Sequence, residues 1–206
     1  PGYRRRLRRL RSQSYALCDF CRIKEDMLNE LFGKPEDAYG VITKSYASTI
    51  DKMFRQERDW TCAIACLRTL FNGKFTEDEL IEKYEIEKGP KYSKDIKPWI
   101  EGLARPRDYY LGCDYKYVNV RPAERLATLL NSYNVMVELT LNYAHWVVIL
   151  HYAHLGSLAD DVVTIYDPYF NKVRLFPAEE ILSMWYGIME AEIEHDFVAV
   201  RKEIIR

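Results

Sequence analysis

The sequence lacks the features that mark several special classes of protein. No apolar run approaches the ~20 residues that a membrane-spanning helix needs, and the strongly apolar run from Trp146 to Leu150 has the length of a buried strand. There are no internal repeats, and 9 glycines and 8 prolines in 206 residues exclude a collagen-like or disordered chain. What remains is an ordinary globular composition, with 48% hydrophobic and 30% charged residues, in a chain long enough to bury a core of its own.

Cysteine is too scarce for a disulfide framework. The chain has five, at positions 18, 21, 62, 66 and 113, and an odd number leaves at least one thiol unpaired. We therefore expect free thiols in the cytoplasm or another reducing compartment. Cys18 and Cys21 form a Cys-x-x-Cys pair, but no second such pair follows, which favours a structural pair at a helix edge over a zinc site. We expect neither a metal nor an organic cofactor.

Positive charge is concentrated at the N-terminus. Residues 1–11 contain six arginines and no acidic residue, whereas the body from Ser12 onward has 24 basic and 31 acidic residues and a net charge of −7. The six are Arg4, Arg5, Arg6, Arg8, Arg9 and Arg11. We interpret the arm over residues 4–11 as a solvated extension, and the alternative is that it docks to an anionic partner or membrane surface. Nucleic-acid binding is disfavoured because the body is acidic.

The hydrophobic period of the chain changes about halfway along, from helical spacing to strand-like runs. The first pattern predicts helices over about 23–32, 46–55, 60–72 and 76–84, from about 93, and over about 122–130. The second predicts strands over 135–141, 144–152, 162–166, 173–176 and 197–200, with a helix over 177–186. This order predicts an α+β fold in which a helical layer packs on an antiparallel sheet. We divide the chain into a basic, helical extension, residues 1–50, and a domain over residues 51–206.

Cys62 is the first candidate for chemistry because it opens a predicted helix after a polar turn. A thiol at a helix N-terminus is exposed to the helix dipole and to free N–H groups, which favour the nucleophilic thiolate. Gln56, six positions upstream, adds a side-chain amide, and cysteine hydrolases use such an amide with a backbone N–H to hold an oxyanion. The alternative for Cys62 is a small buried hydrophobic residue, like its neighbour Cys66.

His145 and Asp167 are the partners that such a thiol requires. His145 stands at the start of a buried strand, where its ring can face a helix N-terminus and act as a base toward the thiol. Asp167 ends the following strand, and it can orient the imidazole if the two strands are neighbours. Taken singly, His145 is also compatible with a hydrogen-bonded residue at a strand edge, and Asp167 with an Asp-Pro turn.

The order of Gln56, Cys62, His145 and Asp167 resembles that of the papain-like peptidases that process bacteriocin leaders at double-glycine sites. The matching motifs are Gln56-x5-Cys62, Ala65-Cys66-Leu67, His145-Trp146-Val147-Val148 and Asp167-Pro168-Tyr169, within roughly residues 54–186. The resemblance implies a papain-like fold, with a catalytic cysteine at a helix N-terminus packed on an antiparallel sheet. It also implies a cysteine peptidase acting on a peptide or protein substrate. In it, Cys62 is the nucleophile, His145 the base and Asp167 its orienting residue, and Gln56 lies in the oxyanion hole.

Two features depart from that family. Its members usually have glycine directly after the cysteine and aspartate directly before it, where this chain has Ala63 and Thr61, so substrate contacts can differ. They are also normally fused to a membrane transporter, whereas this sequence contains no membrane-spanning run. The alternatives are therefore a glutamine deamidase or an acyltransferase, including an effector delivered into a host cell, or a non-catalytic binding module of the same fold. Some elements also resemble a family labelled guanylyl cyclase domain-containing, but the lack of a glycine-rich phosphate loop and of paired metal-binding carboxylates disfavours nucleotide cyclisation.

Overall fold

The computed structural model describes residues 44–112, 122–140, 144–155, 157–186 and 197–205. Within these ranges the chain forms seven β-strands, five α-helices and two short 3-10 helices. The strands are β1 Lys44–Ala47, β2 Tyr109–Leu111, β3 Tyr133–Thr140, β4 Ala144–His154, β5 Val162–Asp167, β6 Lys172–Pro177 and β7 Phe197–Arg201. The helices are α1 Cys62–Leu70, α2 Glu77–Tyr84, α3 Ser93–Glu101, α4 Pro122–Ser132 and α5 Ala178–Tyr186, with 3-10 turns at Pro106–Asp108 and Lys202–Ile205. The predicted α+β class is confirmed.

The seven strands form one antiparallel sheet with β4 near its centre. The strand order is β2-β7-β3-β4-β5-β6, and every neighbouring pair is antiparallel. One edge of the long strand β4 has two partners, because β3 pairs with its first half and β1 pairs with residues 151–154. β5 runs along the other edge, where the register shifts between Ile149 and His151, so Leu150 is an extra residue that forms a β-bulge in β4.

Helices cover both faces of the sheet and bury a core on each. On one face, α1, α2 and α3 pack against strand residues that include Trp146, Val148 and Tyr166. On the other face, α4 and α5 pack against the residues that alternate with these, including Val147 and Ile149. Because both faces of β4 are buried, its sequence is a nearly continuous apolar run rather than an alternating one.

The helices of the first face begin and end at local sequence signals. After α1, Asn72 and Gly73 have positive φ angles, and a Cβ on Gly73 would stand 2.4 Å from the ring of Phe54, so this turn requires glycine. Thr76 and Glu79 form both hydrogen bonds of the predicted capping box before α2. These two signals fix the length of the connection between α1 and α2.

The predicted helix over 46–55 is wrong. Its first residues lie in β1, and residues 48–61 have no regular secondary structure. The backbone of this segment is held by tertiary hydrogen bonds, such as that from the N–H of Phe54 to the hydroxyl of Thr69 in α1 (3.1 Å). Ile50 and Met53 have helical spacing in the sequence, but they reach the core from this irregular segment.

The N-terminal part of the chain is described only from residue 44. Residues 44–47, which we predict to be part of the extension, form β1, are hydrogen-bonded to β4 and belong to the sheet. The short strand β2 was also not predicted. The arginine arm, the predicted helix over 23–32 and the Cys18–Cys21 pair lie outside the described residues. None of the described helices is long and apolar enough to cross a membrane.

Candidate active site

Cys62 occupies the first position of α1, as the sequence predicts. Its side chain is partly exposed and its thiol is free. The preceding residue, Thr61, is fully buried, and its hydroxyl donates to the carbonyl of Arg58 (3.0 Å) and accepts from the N–H of Arg58 (3.1 Å). The side chain of Thr61 therefore does not cap the helix. The N–H groups of the first turn, which have no partners within a helix, point out of the end that carries Cys62.

His145 and Asp167 come together at one end of the β4–β5 ladder. Continuing the register beyond the pair Val148–Tyr166 places Val147 opposite Asp167, with His145 on the diagonal. His145 Nε2 lies 3.0 Å from Asp167 Oδ1, and the two side chains are only 8% and 7% exposed. The two strands are direct neighbours, which was the condition for this pair to form.

The imidazole of His145 stands between the carboxylate and the thiol. It is hydrogen-bonded to Cys62 as well as to Asp167, and since Nε2 faces Asp167, Nδ1 is the nitrogen left for the thiol. Burial lowers the pKa of His145, but the hydrogen bonds to Asp167 and Cys62 together outweigh burial and raise it to about 9. The ring can therefore keep a proton throughout the neutral range.

Asp167 is oriented by the turn that follows it. Its Oδ1 also accepts hydrogen bonds from the backbone N–H groups of Tyr169 (3.0 Å) and Phe170 (3.4 Å). Burial raises the pKa of Asp167, but the hydrogen bond and charge of His145, with these two N–H groups, outweigh burial and lower it below its ordinary value. The Asp-Pro turn considered as an alternative is thus present, and it holds the carboxylate in place against the histidine.

Gln56 is buried near the same turn and is held by both its main chain and its side chain. Its backbone N–H donates to the carbonyl of Pro168 (3.2 Å), and its Nε2 donates to the carbonyl of Arg58 (2.7 Å). A side-chain amide has two N–H groups, so one remains for a ligand. Its Oε1 is buried and accepts no hydrogen bond from any residue in the described ranges.

A cleft of about 690 Å³ opens onto these side chains. Gln56, Cys62 and His145 all line it, and Asp167 lies behind the histidine. The remaining lining is partly aromatic and partly charged, and it comprises Asp59, Trp60, Ala63, Lys88, Gly89, Pro90, Lys91, Tyr92, Trp146 and Tyr169. This volume is large enough to hold several residues of a peptide.

The loop over residues 88–92 forms one wall of this cleft. It is attached to β4 because the indole N–H of Trp146 donates to the carbonyl of Lys91 (2.6 Å). A second link joins the loop to the segment before α1, an exposed ion pair between Lys88 and Asp59 (3.4 Å). The first link is buried at the residue next to His145, so it fixes the wall relative to the candidate triad.

Cys66 lies one turn after Cys62 and has the opposite environment. It is fully buried, and its thiol donates to the carbonyl of Trp146 (3.3 Å). Burial, followed by the nearby Cys62, raises the pKa of Cys66 well above its ordinary value. A neutral, inaccessible thiol is unreactive, so Cys66 provides a reference for Cys62 on the same helix.

The structure brings together all four residues singled out in the sequence, Gln56, Cys62, His145 and Asp167. The wall over 88–92 was not found by sequence reasoning. Its Gly-Pro step is a signal for a turn, but no local pattern shows where that turn packs. The hydrogen bond that places it joins residues 55 positions apart in the chain.

Within the described ranges, no group of three or more His, Cys, Asp or Glu side chains is arranged to hold a metal ion. Cys18, Cys21 and Cys113 lie outside these ranges. Comparison of the chain with models of known protein families and with curated proteins finds no match. Inference about function therefore rests on the residues and geometry of the cleft.

Proposed function

We propose that this protein is a cysteine hydrolase of the papain-like type that cleaves an amide bond in a peptide or protein. The observation that carries the proposal is the line of hydrogen bonds from Cys62 through His145 to Asp167 at the edge of an open cleft. Each side chain comes from a different element, so a short local sequence motif does not account for their meeting. A cysteine-bearing helix packed on an antiparallel sheet that carries the histidine is also the arrangement expected of a papain-like fold.

The proposed reaction begins from an ion pair in which Nδ1 of His145 already holds the proton of Cys62, as the raised pKa of the imidazole favours. The thiolate then attacks the carbonyl carbon of the substrate amide, and the oxyanion accepts hydrogen bonds from the free N–H of Gln56 and the backbone N–H of Cys62. Collapse of this intermediate breaks the C–N bond, and His145 gives its proton to the leaving amine. Asp167 keeps the imidazole oriented and stabilises its protonated form.

The second half of the reaction releases the acyl group from Cys62. Water loses a proton to the now neutral His145 and attacks the thioester carbonyl, which again places the oxyanion against Gln56. The C–S bond then breaks, the carboxylic acid leaves, and the thiolate faces a protonated imidazole as before. The same acyl-enzyme would serve a deamidase or an acyltransferase, so the nature of the product is what distinguishes them.

The first test is the pH dependence of alkylation by iodoacetamide, followed for each cysteine by mass spectrometry of the full chain. An ordinary thiol with a pKa of about 8.5 is only about 0.3% ionised at pH 6. We expect Cys62 to react at pH 6 about 100-fold faster than such a thiol, while Cys66 stays unmodified. A Cys62 rate that increases with pH as in a free peptide would contradict the proposal.

The second test identifies the product. The protein is incubated with a proteome-derived peptide library, with Cys62→Ala as the control, and the peptides are analysed by mass spectrometry. New termini would support peptidase activity, glutamine-to-glutamate conversion would support deamidation, and a mass adduct on an acceptor would support acyl transfer. Rapid alkylation with none of these products would favour a non-catalytic module that retains a reactive thiol.

A further inference from the structure

Beyond the candidate triad, the lining of the cleft carries one positive charge that has no acidic partner among the described residues. Apart from the candidate triad, its charged lining residues are Asp59, Lys88 and Lys91. Asp59 and Lys88 neutralise each other in the ion pair across the rim. Lys91 is half-buried, and it forms no ion pair with any residue in the described part of the chain. Outside the triad, the lining thus has one more cation than anions, although the body of the protein from Ser12 onward has a net charge of −7.

Lys91 is held at a fixed position relative to the candidate triad. Its own carbonyl accepts the indole N–H of Trp146, which is 1% exposed and directly follows His145. On its other side, Tyr92 directly precedes α3, and its N–H donates to Asp95 in a capping interaction (2.9 Å). Because the main chain is anchored on both sides, the ammonium group can move only as far as its own side chain allows.

Lys94, three positions further along the chain, offers a matched control. Lys94 lies outside the lining, and its ammonium stands 5.6 Å from the ring centroid of Tyr92. Among the charged lining residues, Lys91 therefore has the strongest attraction for a ligand anion. A cation in a cleft acts on a bound anion through less water than one on an open surface, which strengthens that attraction.

We propose that Lys91 selects substrates that carry a carboxylate close to the scissile amide. The proposal deepens the cysteine hydrolase function and rests on it. Lys91 and Cys62 line the same cleft of about 690 Å³, so we expect the carboxylate within about three extended residues of the reacting carbonyl. The carboxylate is either that of an aspartate or glutamate side chain or the free C-terminus of the leaving segment, so the substrate is an acidic peptide or a peptide cut near its end.

The test uses electrophilic peptides that react irreversibly with Cys62, so no natural substrate is needed. Bromoacetyl peptides place their residues on the side of the leaving group, and peptidyl chloromethyl ketones place theirs on the acyl side. Each probe is made with glutamate and with glutamine at the same position and is otherwise neutral. The bromoacetyl glutamine peptide is also made with either a free or an amidated C-terminus. Rates of Cys62 modification are measured on the full chain at low ionic strength.

We expect at least one anionic probe to react about 3- to 10-fold faster than its neutral counterpart. In Lys91→Met this preference should fall to near unity, whereas in Lys91→Arg and in the control Lys94→Met it should persist. Each probe rate is divided by the iodoacetamide rate of the same variant, because that neutral reagent reports any effect of the substitution on the thiol itself. A preference in a glutamate–glutamine comparison would identify a side-chain carboxylate, and a preference for the free C-terminus would identify the terminal carboxylate.

Two results would overturn the inference about Lys91. One is equal rates for the anionic and neutral members of all three comparisons, and the other is a preference that survives in Lys91→Met. Failure of the underlying function would look different, because Cys62 would then react slowly at pH 6 even with iodoacetamide. Since only the main chain of Lys91 makes the bond to Trp146, the methionine variant should fold, and a thermal melt of each variant checks this.

Discussion

The β4–β5 ladder carries a histidine–aspartate pair at each of its two ends, and the two pairs have different surroundings. At one end, His145 Nε2 lies 3.0 Å from Asp167. At the other end, His154 Nδ1 lies 3.0 Å from both carboxylate oxygens of Asp161. The distances are the same, but a different ring nitrogen faces the carboxylate in each pair.

The aspartates also differ in their other partners. Asp161 is 1% exposed, and it accepts further hydrogen bonds from the hydroxyl of Tyr152 and from the N–H of Leu155 (2.8 Å). Burial and the bond to Asp161 raise the pKa of Tyr152, so the hydroxyl keeps its proton and remains a donor. This second carboxylate is thus the centre of a network that ties β4 to the start of β5.

A histidine–aspartate pair is therefore not evidence of catalysis by itself. Both cysteines of the described ranges, Cys62 and Cys66, lie on α1 near the first pair. The first pair also borders the cleft, whereas His154 is absent from its lining. The nucleophile and the space for a substrate distinguish the two pairs, and neither can be read from the pair alone.

Replacing His145 or His154 by alanine should give the largest difference between the two pairs, in the rate of Cys62 alkylation. In His145→Ala, Cys62 loses the partner that accepts its proton, and we expect alkylation at pH 6 to slow by about 100-fold. In His154→Ala, alkylation should be unchanged, while loss of one hydrogen bond to buried Asp161 lowers the free energy of unfolding by about 1–2 kcal/mol. Iodoacetamide kinetics and urea denaturation of both variants measure these outcomes. Equal effects of the two substitutions on alkylation would remove the distinction.

Replacing Asp167 or Asp161 by asparagine compares the two pairs through the titration of the His145 imidazole. His145 should titrate near pH 9 in the unmodified protein, as measured by NMR of histidine labelled with carbon-13. Asp167→Asn removes the charge that favours the imidazolium, so the midpoint should move down toward 6.5 and alkylation at pH 6 should slow by about 10-fold. Asp161→Asn should leave the His145 midpoint in place.

The same titration has a consequence for stability with a defined sign. The pKa of His145 in the folded protein is above its ordinary value of 6.5, so its contribution to stability is complete below pH 6.5 and is lost as the pH rises through about 9. The free energy of unfolding should therefore decrease between these two values. The decrease should be smaller in Asp167→Asn, and an unchanged pH dependence in that variant would contradict the assignment.

The smallest effect is expected at the rim of the cleft. Asp59 and Lys88 are 72% and 70% exposed, and ion pairs this exposed contribute little because water and salt screen them. Asp59→Asn should therefore change the rate of Cys62 alkylation by less than about twofold. A larger change would mean that the ion pair, rather than the buried bond between Trp146 and Lys91, holds the wall in place.

Local signals in the sequence predicted much of this fold. The capping box of Thr76 and Glu79 and the apolar runs of β4 and β5 each specify an element through contacts within it or through burial of both faces. β1 and β2 were missed because they are strands of four and three residues, whose conformation depends on the strand beside them. The segment before α1 was wrongly predicted to be a helix, because its apolar residues have helical spacing. In the structure these residues contact the core from an irregular segment.

The residues of the candidate site also differ in whether local sequence or tertiary contacts determine their role. Cys62 and Asp167 could be picked out because each sits at the end of an element and next to a turn, where local sequence is informative. The partner of His145 could be guessed only because β4 and β5 follow one another in the chain. The role that we propose for Lys91 could not be predicted from the sequence. It depends on which nearby carboxylates already form ion pairs with other residues.

The β-bulge at Leu150 explains how one pair of strands can carry two such pairs. His145 and His154 are nine positions apart, whereas Asp161 and Asp167 are six apart. In a regular strand an odd separation puts two side chains on opposite faces, and an even one puts them on the same face. The extra residue in β4 brings His145 and His154 to the same face of the sheet, although their separation is odd. Both histidines can therefore reach their aspartates. Without it, the ladder could keep its structural pair or its candidate catalytic pair in register, but not both.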